Sequence, residues 1–339
     1  MKKIFRYFLV VLLIFFIILF GAYWYYIRAI NEKNSGAAEK LRFVVQQGET
    51  SEDISKQLKD AGLIRSNLFF DLYAWQSGND DKLQSGEYDI PKNLSIKDVI
   101  RLLSSAKERL QNKITIIEGW KISDIAQYFD DNAITKKENF VWAVEHKAAW
   151  WDRFELLKNK PRDRDLEGYL FPDTYLVYKD ASIDDIIEKM LSNLEKKYTP
   201  EMRDETKRLG FSTHEILTLA SIIEREVSTD DDRAVVSGIF HNRLKAGMGL
   251  QSDATVNYVT GKGKTQPSYD DVSVDSPYNT YKYRGLPPGP IGSPGLSAIR
   301  AALYPKESEY IYFLTTPEGK AIYSKTYEEH IIAKRKYLQ

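Results

Sequence analysis

The chain has no cysteine among its 339 residues. That excludes disulfides, thiolate nucleophiles and zinc–thiolate sites together. It also suits an exported chain that folds without covalent help. There is no net charge, since 48 Lys and Arg balance 48 Asp and Glu. A nucleic-acid binder carries a basic excess or stripe, so no nucleic-acid partner is expected. The four histidines are scattered rather than clustered, and neither a metal nor a cofactor is expected. Internal repeats and low-complexity tracts are absent. Only one hydrophobic run is long enough to matter, so a polytopic membrane protein is excluded.

That run is the clearest local signal. Tyr7 to Ile27 contains no charged residue. At about 1.5 Å per helical residue it spans a hydrocarbon layer of roughly 30 Å. Lys2, Lys3 and Arg6 precede it, so residues 1–6 should stay cytoplasmic and everything after Arg28 should lie outside. Tyr23, Trp24, Tyr25 and Tyr26 form an aromatic belt for the outer interface. A cleaved signal peptide would have a shorter apolar core and a small-x-small cleavage site. Phe20-Gly21-Ala22 is a poor one, so an uncleaved anchor at 7–27 is expected, with a linker at 28–40.

Residues 41–109 read as a small α+β module. Leu41–Val45 is a strand, and Ser51 caps a helix that Gly62 closes. A second helix covers Asn67–Gln76, Gly86–Pro91 is a strand, and Ser95 caps a helix over Ile96–Leu103. The order strand, Gln47-Gly48-Glu49-Thr50 turn, helix resembles the opening of a LysM glycan-binding unit, with a plain structural spacer as the alternative. Residues 110–339 form a second, mixed α/β region. It opens on a strand at Ile114–Ile117, a turn at Glu118-Gly119-Trp120 and a helix at Ile122–Phe129. Trp142, Trp150 and Trp151 are expected in packing, and Glu167–Tyr175 is a compact aromatic turn. Helices over Ile183–Lys197 and Pro200–Leu209 lead into the core at about 200–339.

The chemistry points to the next helix. Ser212 followed by Glu215 is a capping box, and Ile216, Leu219, Ala220, Ile223 and Val227 make an apolar stripe. Glu224 and Glu226 stand near its end, pointing roughly 160° apart around the axis. Ile222 and Ile223 neighbour Glu226, whereas Ser221 and Ala220 neighbour Glu224. Desolvation at Glu226 should raise its pKa, as a general acid at neutral pH requires. The bland alternative is a solvated or ion-paired glutamate at a helix end. A helix over Arg233–Lys245 follows. Beyond it, Leu250 to Tyr258, Tyr278 to Tyr281 and Gly285 to Ile291 are rich in Tyr, Gly, Pro and hydrogen-bonding side chains. Those are the surfaces a sugar polymer needs, with Pro287-Pro288 holding a groove in shape.

Two motifs mislead. His214-Glu215 starts like the zinc motif H-E-x-x-H, but Thr218 replaces the second ligand. Gly261-Lys262-Gly263-Lys264-Thr265 ends like a phosphate loop without its first glycine, and reads as a turn.

From residue 41 onward the chain resembles the MltG (YceG-like) endolytic murein transglycosylases. The resemblance rests on Ala220-Ser221-Ile222-Ile223-Glu224-Arg225-Glu226, His241-Asn242-Arg243-Leu244, Leu250 to Val256, Asn279-Thr280-Tyr281 and Leu286 to Ile291, with Glu118-Gly119 and Glu167 to Tyr175. It implies a LysM-like module and a catalytic domain related to other lytic transglycosylases. It also implies that the second acid of the E-x-E pair, Glu226, is catalytic, with Glu224 as supporting or alternative acid. Other lytic transglycosylases place Ser or Thr directly after that acid; here Val227 stands there and Ser228 follows. The resemblance further implies a groove lined by Gln251, Asp253, Thr255, Asn279, Tyr281, Pro287 and Pro288, and cleavage of nascent peptidoglycan strands to 1,6-anhydro-muramic ends. Penicillin-binding glycan polymerases are the partners expected by family analogy. A glycosidase using two carboxylates, with Asp253 as the second, is one alternative. A non-catalytic glycan-binding scaffold of the wall-synthesis machinery is the other.

Overall fold

A computed structural model describes residues 2–34, 39–105, 111–263, 267–317 and 319–338. The 109/110 boundary, part of the 28–40 linker, and Lys264 and Thr265 of the phosphate-loop-like stretch lie outside them. The chain is a mixed α+β protein in two compact units, residues 1–112 with 176–181, and residues 113–175 with 182–339.

The first unit opens with helix α1 (Lys2–Asn31), of which Tyr7–Asn31 is long and apolar enough to cross a membrane. The helix runs four residues past Ile27, because its last turns have something to pack on. Tyr26 and Ile30 are buried in the core of the module that follows. That module pairs β1 (Lys40–Val45) antiparallel with β2 (Gly86–Pro91), in the register Leu41 to Ile90 and Val45 to Gly86. Alternate residues Phe43, Val45, Tyr88 and Ile90 face the core, the period-two pattern of a half-buried strand. Helices α2 (Ser51–Asp60) and α3 (Asn67–Gln76) lie between the strands in sequence, and α4 (Ile96–Leu103) follows. The cap of α2 is Thr50 rather than Ser51. Its hydroxyl accepts the Asp53 N–H while Asp53 receives the Thr50 N–H, which moves the cap back one residue.

Strand β3 (Gln111–Thr115) sits earlier than the Ile114–Ile117 run suggests, and pairs with β4 (Thr174–Tyr178). In the second unit, α5 (Ile122–Asp131) packs on α6 (Lys137–Glu145), with Phe129 against Phe140. Of the three tryptophans expected in packing, Trp151 is buried, whereas Trp142 is exposed and stacks on His146. Helices α7 (Ile183–Lys197) and α8 (Pro200–Arg208) lead to α9 (Thr213–Glu226). Then come α10 (Asp230–Lys245), α11 (Asp253–Thr260), the one-turn α12 (Tyr269–Val272) and α13 (Leu296–Leu303). A hairpin of β5 (Tyr312–Thr315) and β6 (Ala321–Ser324), then α14 (Tyr327–Tyr337), close the chain.

Helix α9 is the centre of this unit. It is walled by α8, α10, α11 and α13. Every residue from Ile216 to Ile223 is buried, not only the predicted stripe. Its polar side chains are therefore satisfied internally. Thr218 donates to the His214 carbonyl at 2.7 Å, and Ser221 donates to the Thr218 carbonyl while accepting the Ile291 N–H at 3.0 Å.

Candidate active site

The two acids at the end of α9 diverge as helical geometry requires. Glu224 turns into the fold. Its side chain is 5% exposed and pairs at 2.5 Å with Arg233 of α10, itself 10% exposed. Its second oxygen accepts the Gly295 N–H at 2.9 Å, at the start of α13. Arg225 between the acids donates to the Gly119 carbonyl at 3.0 Å. Glu224 thus ties α9 to α10 and α13, and both its oxygens are engaged.

Glu226 turns the other way, towards the segment before α11. Ser252 donates its hydroxyl to Glu226 Oε1. Ser252 occupies the N-cap of α11 but makes no side-chain capping bond; its hydroxyl is turned towards Glu226 instead. Burial is the largest influence on Glu226 and pushes its pKa up to about 7. The Ser252 hydroxyl and the Ala254 N–H at the α11 N-terminus pull it down, as Arg243 does, and Asp253 pushes it up. Glu226 is thus poised between acid and carboxylate near neutral pH. A neutral carboxyl is favoured by desolvation, and the anion has hydrogen-bond donors waiting.

The Ser252 segment is pinned from several sides. Gln251 and Ser252 donate their N–H groups to the Thr280 carbonyl and hydroxyl at 3.1 and 3.0 Å. Gly249 lies so close to Thr280 that a Cβ there would fall 2.8 Å from its carbonyl oxygen. Gln251 takes a positive φ of 48°, a strained conformation for a side-chain-bearing residue, at the corner that turns the chain into α11. Arg243 of α10 donates to the carbonyls of Leu250 at 2.5 Å and Ile311 at 2.8 Å, coupling this loop to the start of the C-terminal hairpin.

The predicted groove residues fall into three groups. Asp253 and Tyr281 belong with Glu226: the Tyr281 hydroxyl donates to Asp253 at 2.6 Å, and burial raises the Asp253 pKa. Gln251 is exposed on the same loop. Thr255 and Asn279 lie beneath, fully engaged. Thr255 binds the Ser252 carbonyl at 2.7 Å and the Thr280 hydroxyl at 2.9 Å, and Asn279 donates to the Val272 and Val274 carbonyls. Pro287 and Pro288 lie at the opposite end of α9, where the Pro288 carbonyl accepts His214 Nε2 at 2.9 Å. His214 and Glu226 are twelve positions apart along the helix, about 18 Å. Since a carbonyl only accepts, Nε2 carries the proton, and Tyr169 donates to Nδ1 at 2.9 Å. This imidazole is a structural clamp. Ser252 and Arg243 are the site residues that sequence reasoning missed. The signal available for them was a Ser at a helix start beside Asp253 and an Arg near the end of α10, both inside the stretches that carry the family resemblance.

Together these features define a class of site: one desolvated carboxyl at the end of a buried helix, with a second acid nearby and, among the described residues, no cation bonded to the first. Residues 43–336 match the YceG-like family, and the chain belongs to that family. It is 34% identical over 331 residues to a Bacillus subtilis protein named endolytic murein transglycosylase, covering 95% of this chain and 91% of that one. It is 30% identical over 334 residues to a Streptococcus pneumoniae protein of the same name, covering 91% of this chain and 60% of that longer one. Among solved structures, a yceG-like protein from Listeria monocytogenes aligns with a TM-score of 0.60 at 34% identity, covering 88% of this chain and all of that one.

Proposed function

We propose that this protein is an endolytic peptidoglycan lytic transglycosylase whose acid and base is Glu226. The observation that carries the reading is the contrast between the acids. Glu224 is consumed by Arg233 and Gly295, while Glu226 is desolvated, raised to about 7 and hydrogen-bonded only by uncharged donors, the Ser252 hydroxyl and the Ala254 N–H. The carboxyl of Glu226 donates its proton to the glycosidic oxygen between N-acetylmuramic acid and N-acetylglucosamine. The muramyl acetamido oxygen stabilises the oxocarbenium-like centre from the other face. Glu226, now a carboxylate steadied by Ser252 and the Ala254 N–H, takes the proton of the muramyl C6 hydroxyl. That hydroxyl closes on C1 to form a 1,6-anhydro ring. The proton count is restored and no water is consumed. Asp253 and Tyr281 border the site, with Gln251 at its rim.

In this reading α1 crosses the cytoplasmic membrane with its N-terminus inside, and the chain after it lies outside. Residues 41–109 act as a LysM-like module, and residues 110–339 are related to the catalytic domains of other lytic transglycosylases. The enzyme ends nascent strands made by penicillin-binding glycan polymerases.

The test is digestion of uncrosslinked nascent peptidoglycan by the detergent-solubilised full chain, beside Glu226→Gln, read by mass spectrometry. Anhydro-muramic ends that disappear in the variant are the expected result. Reducing muramic ends would replace the lyase by a hydrolase with Asp253 as second carboxylate. Anhydro ends that persist in the variant would move the acid to Glu224. No cleavage by the wild type would leave a glycan-binding scaffold.

A further inference from the structure

Helix α3 carries an apolar face that no described residue of its own unit covers. Phe70 and Ala74 point into the core, and Phe69 and Tyr73 pack partly against it. On the opposite side Leu68 is 68% exposed, Leu72 42% and Trp75 70%. Their spacing, i, i+4 and i+7, puts all three on one narrow stripe of the helix. Single exposed leucines are ordinary, but three large apolar side chains aligned on one helix are not.

The position of the stripe says what meets it. Tyr25 and Tyr26 of α1 pack edge-on against Phe69, at ring separations of 5.9 and 5.7 Å. The Tyr26 hydroxyl donates to Gln76 at 2.8 Å. Phe69 and Gln76 are near opposite ends of α3, so the whole helix is held at the level of these two tyrosines. That level is the end of the apolar run, where Tyr23, Trp24 and Tyr25 are exposed as a belt. Arg28 and Arg65 stand nearby, but both share Glu32, so the stripe rather than charge decides the ligand.

We propose that α3 is an interfacial membrane helix, with Leu68, Leu72 and Trp75 seated in the headgroup and acyl boundary of the leaflet from which α1 emerges. The inference rests on α1 crossing the membrane. The unpartnered face belongs to the helix that Tyr25 and Tyr26 hold at the end of the apolar run, and a tryptophan beside a leucine pair suits that boundary. The first unit is then fixed against the bilayer at two places, α1 and α3, and cannot swing freely on a single tether.

The absence of cysteine makes the test clean. Leu72→Cys, Leu13→Cys and Gln47→Cys each give the full chain one thiol for a nitroxide label. All three positions are exposed, so none loses core packing. The labelled chains are reconstituted in phosphatidylglycerol and phosphatidylethanolamine vesicles. Collision with oxygen, which concentrates in lipid, is compared with collision with a water-soluble nickel chelate. Oxygen should dominate at Leu13 and Leu72, and the ratio should invert at Gln47 in the exposed turn before α2. Oxygen dominance at Leu13 with nickel dominance at Leu72 would overturn the proposal and leave the anchor intact. Nickel dominance at Leu13 would remove the anchor reading and the proposal with it. A Leu72 label immobilised and shielded from both reagents would mean that a second copy or another protein covers the stripe, which also overturns it.

Discussion

Ser252→Ala is the perturbation that separates a tuned acid from a merely buried one. In the wild type the Ser252 hydroxyl donates to the Glu226 carboxylate and so holds its pKa below the value that burial alone would set. A hydrogen bond to a charged group contributes about 1.5–3 kcal/mol, and one pKa unit corresponds to about 1.36 kcal/mol. Full loss would therefore raise the pKa by roughly one to two units. Water entering the space of the hydroxyl restores part of the interaction, so we expect about one unit. The sign follows from the role. Glu226 must be protonated to donate to the glycosidic oxygen, so kcat/KM falls as pH rises through its pKa of about 7. In Ser252→Ala that alkaline limb should move up by about one unit, making the variant relatively more active at pH 8 than at pH 6. The assay is the initial rate of anhydro-muramic end release from pH 5 to 9.5 in overlapping buffers, with circular dichroism to confirm folding. A limb that moves down, or one that stays in place at an unchanged rate, would refute the pairing of Ser252 with Glu226. A uniform loss of rate with no movement would show that Ser252 only builds the loop.

Glu226→Gln should abolish cleavage yet raise the melting temperature at pH 8. A carboxyl whose folded pKa exceeds its unfolded value weakens the fold as pH rises between the two, so relief of about 1–3 kcal/mol should appear at pH 8 and vanish near pH 4. Calorimetry of both proteins at the two pH values checks this. Glu224→Gln should instead lower stability by about 1.5–3 kcal/mol in urea titrations, because it leaves the buried Arg233 with only the solvent-exposed Asp230, at 3.3 Å, as counter-charge. Gly238→Ala should cost about 1–3 kcal/mol in the same titrations, since its Cβ would stand 2.2 Å from the Lys306 carbonyl oxygen in the segment packed on α10.

What the sequence made legible follows the range of the interactions. Helices α3 and α4 and strand β2 lie where capping, periodicity and a terminal proline put them, because each is decided by neighbours a few residues apart. The same holds for the opposed directions of Glu224 and Glu226, a matter of helical angle alone. The stretch from Leu250 reads by composition as groove lining, yet it contains α11, whose N-cap serine points its hydroxyl at Glu226 rather than capping the helix. That bond joins residues 26 positions apart, and Arg243 reaches Ile311 across 68. No local pattern encodes such pairs. Pro287 and Pro288 illustrate the converse. Their rigidity was legible but their place was not, and it is used to fasten the start of α9 through His214.

Helix α9 is buried from Ile216 to Ile223 and ends in Glu226. An acid mounted on the least accessible helix of its unit has no separate flexibility of its own. Its backbone amides should exchange with solvent only when the unit opens as a whole. Heating should therefore abolish cleavage and melt the unit over one temperature range, with no preceding loss of the active geometry. Any give needed to admit a long glycan strand must come from the other wall, in the loops around Gln251 and Tyr281, so this enzyme should adapt to its substrate with its binding surface while its proton donor stays still.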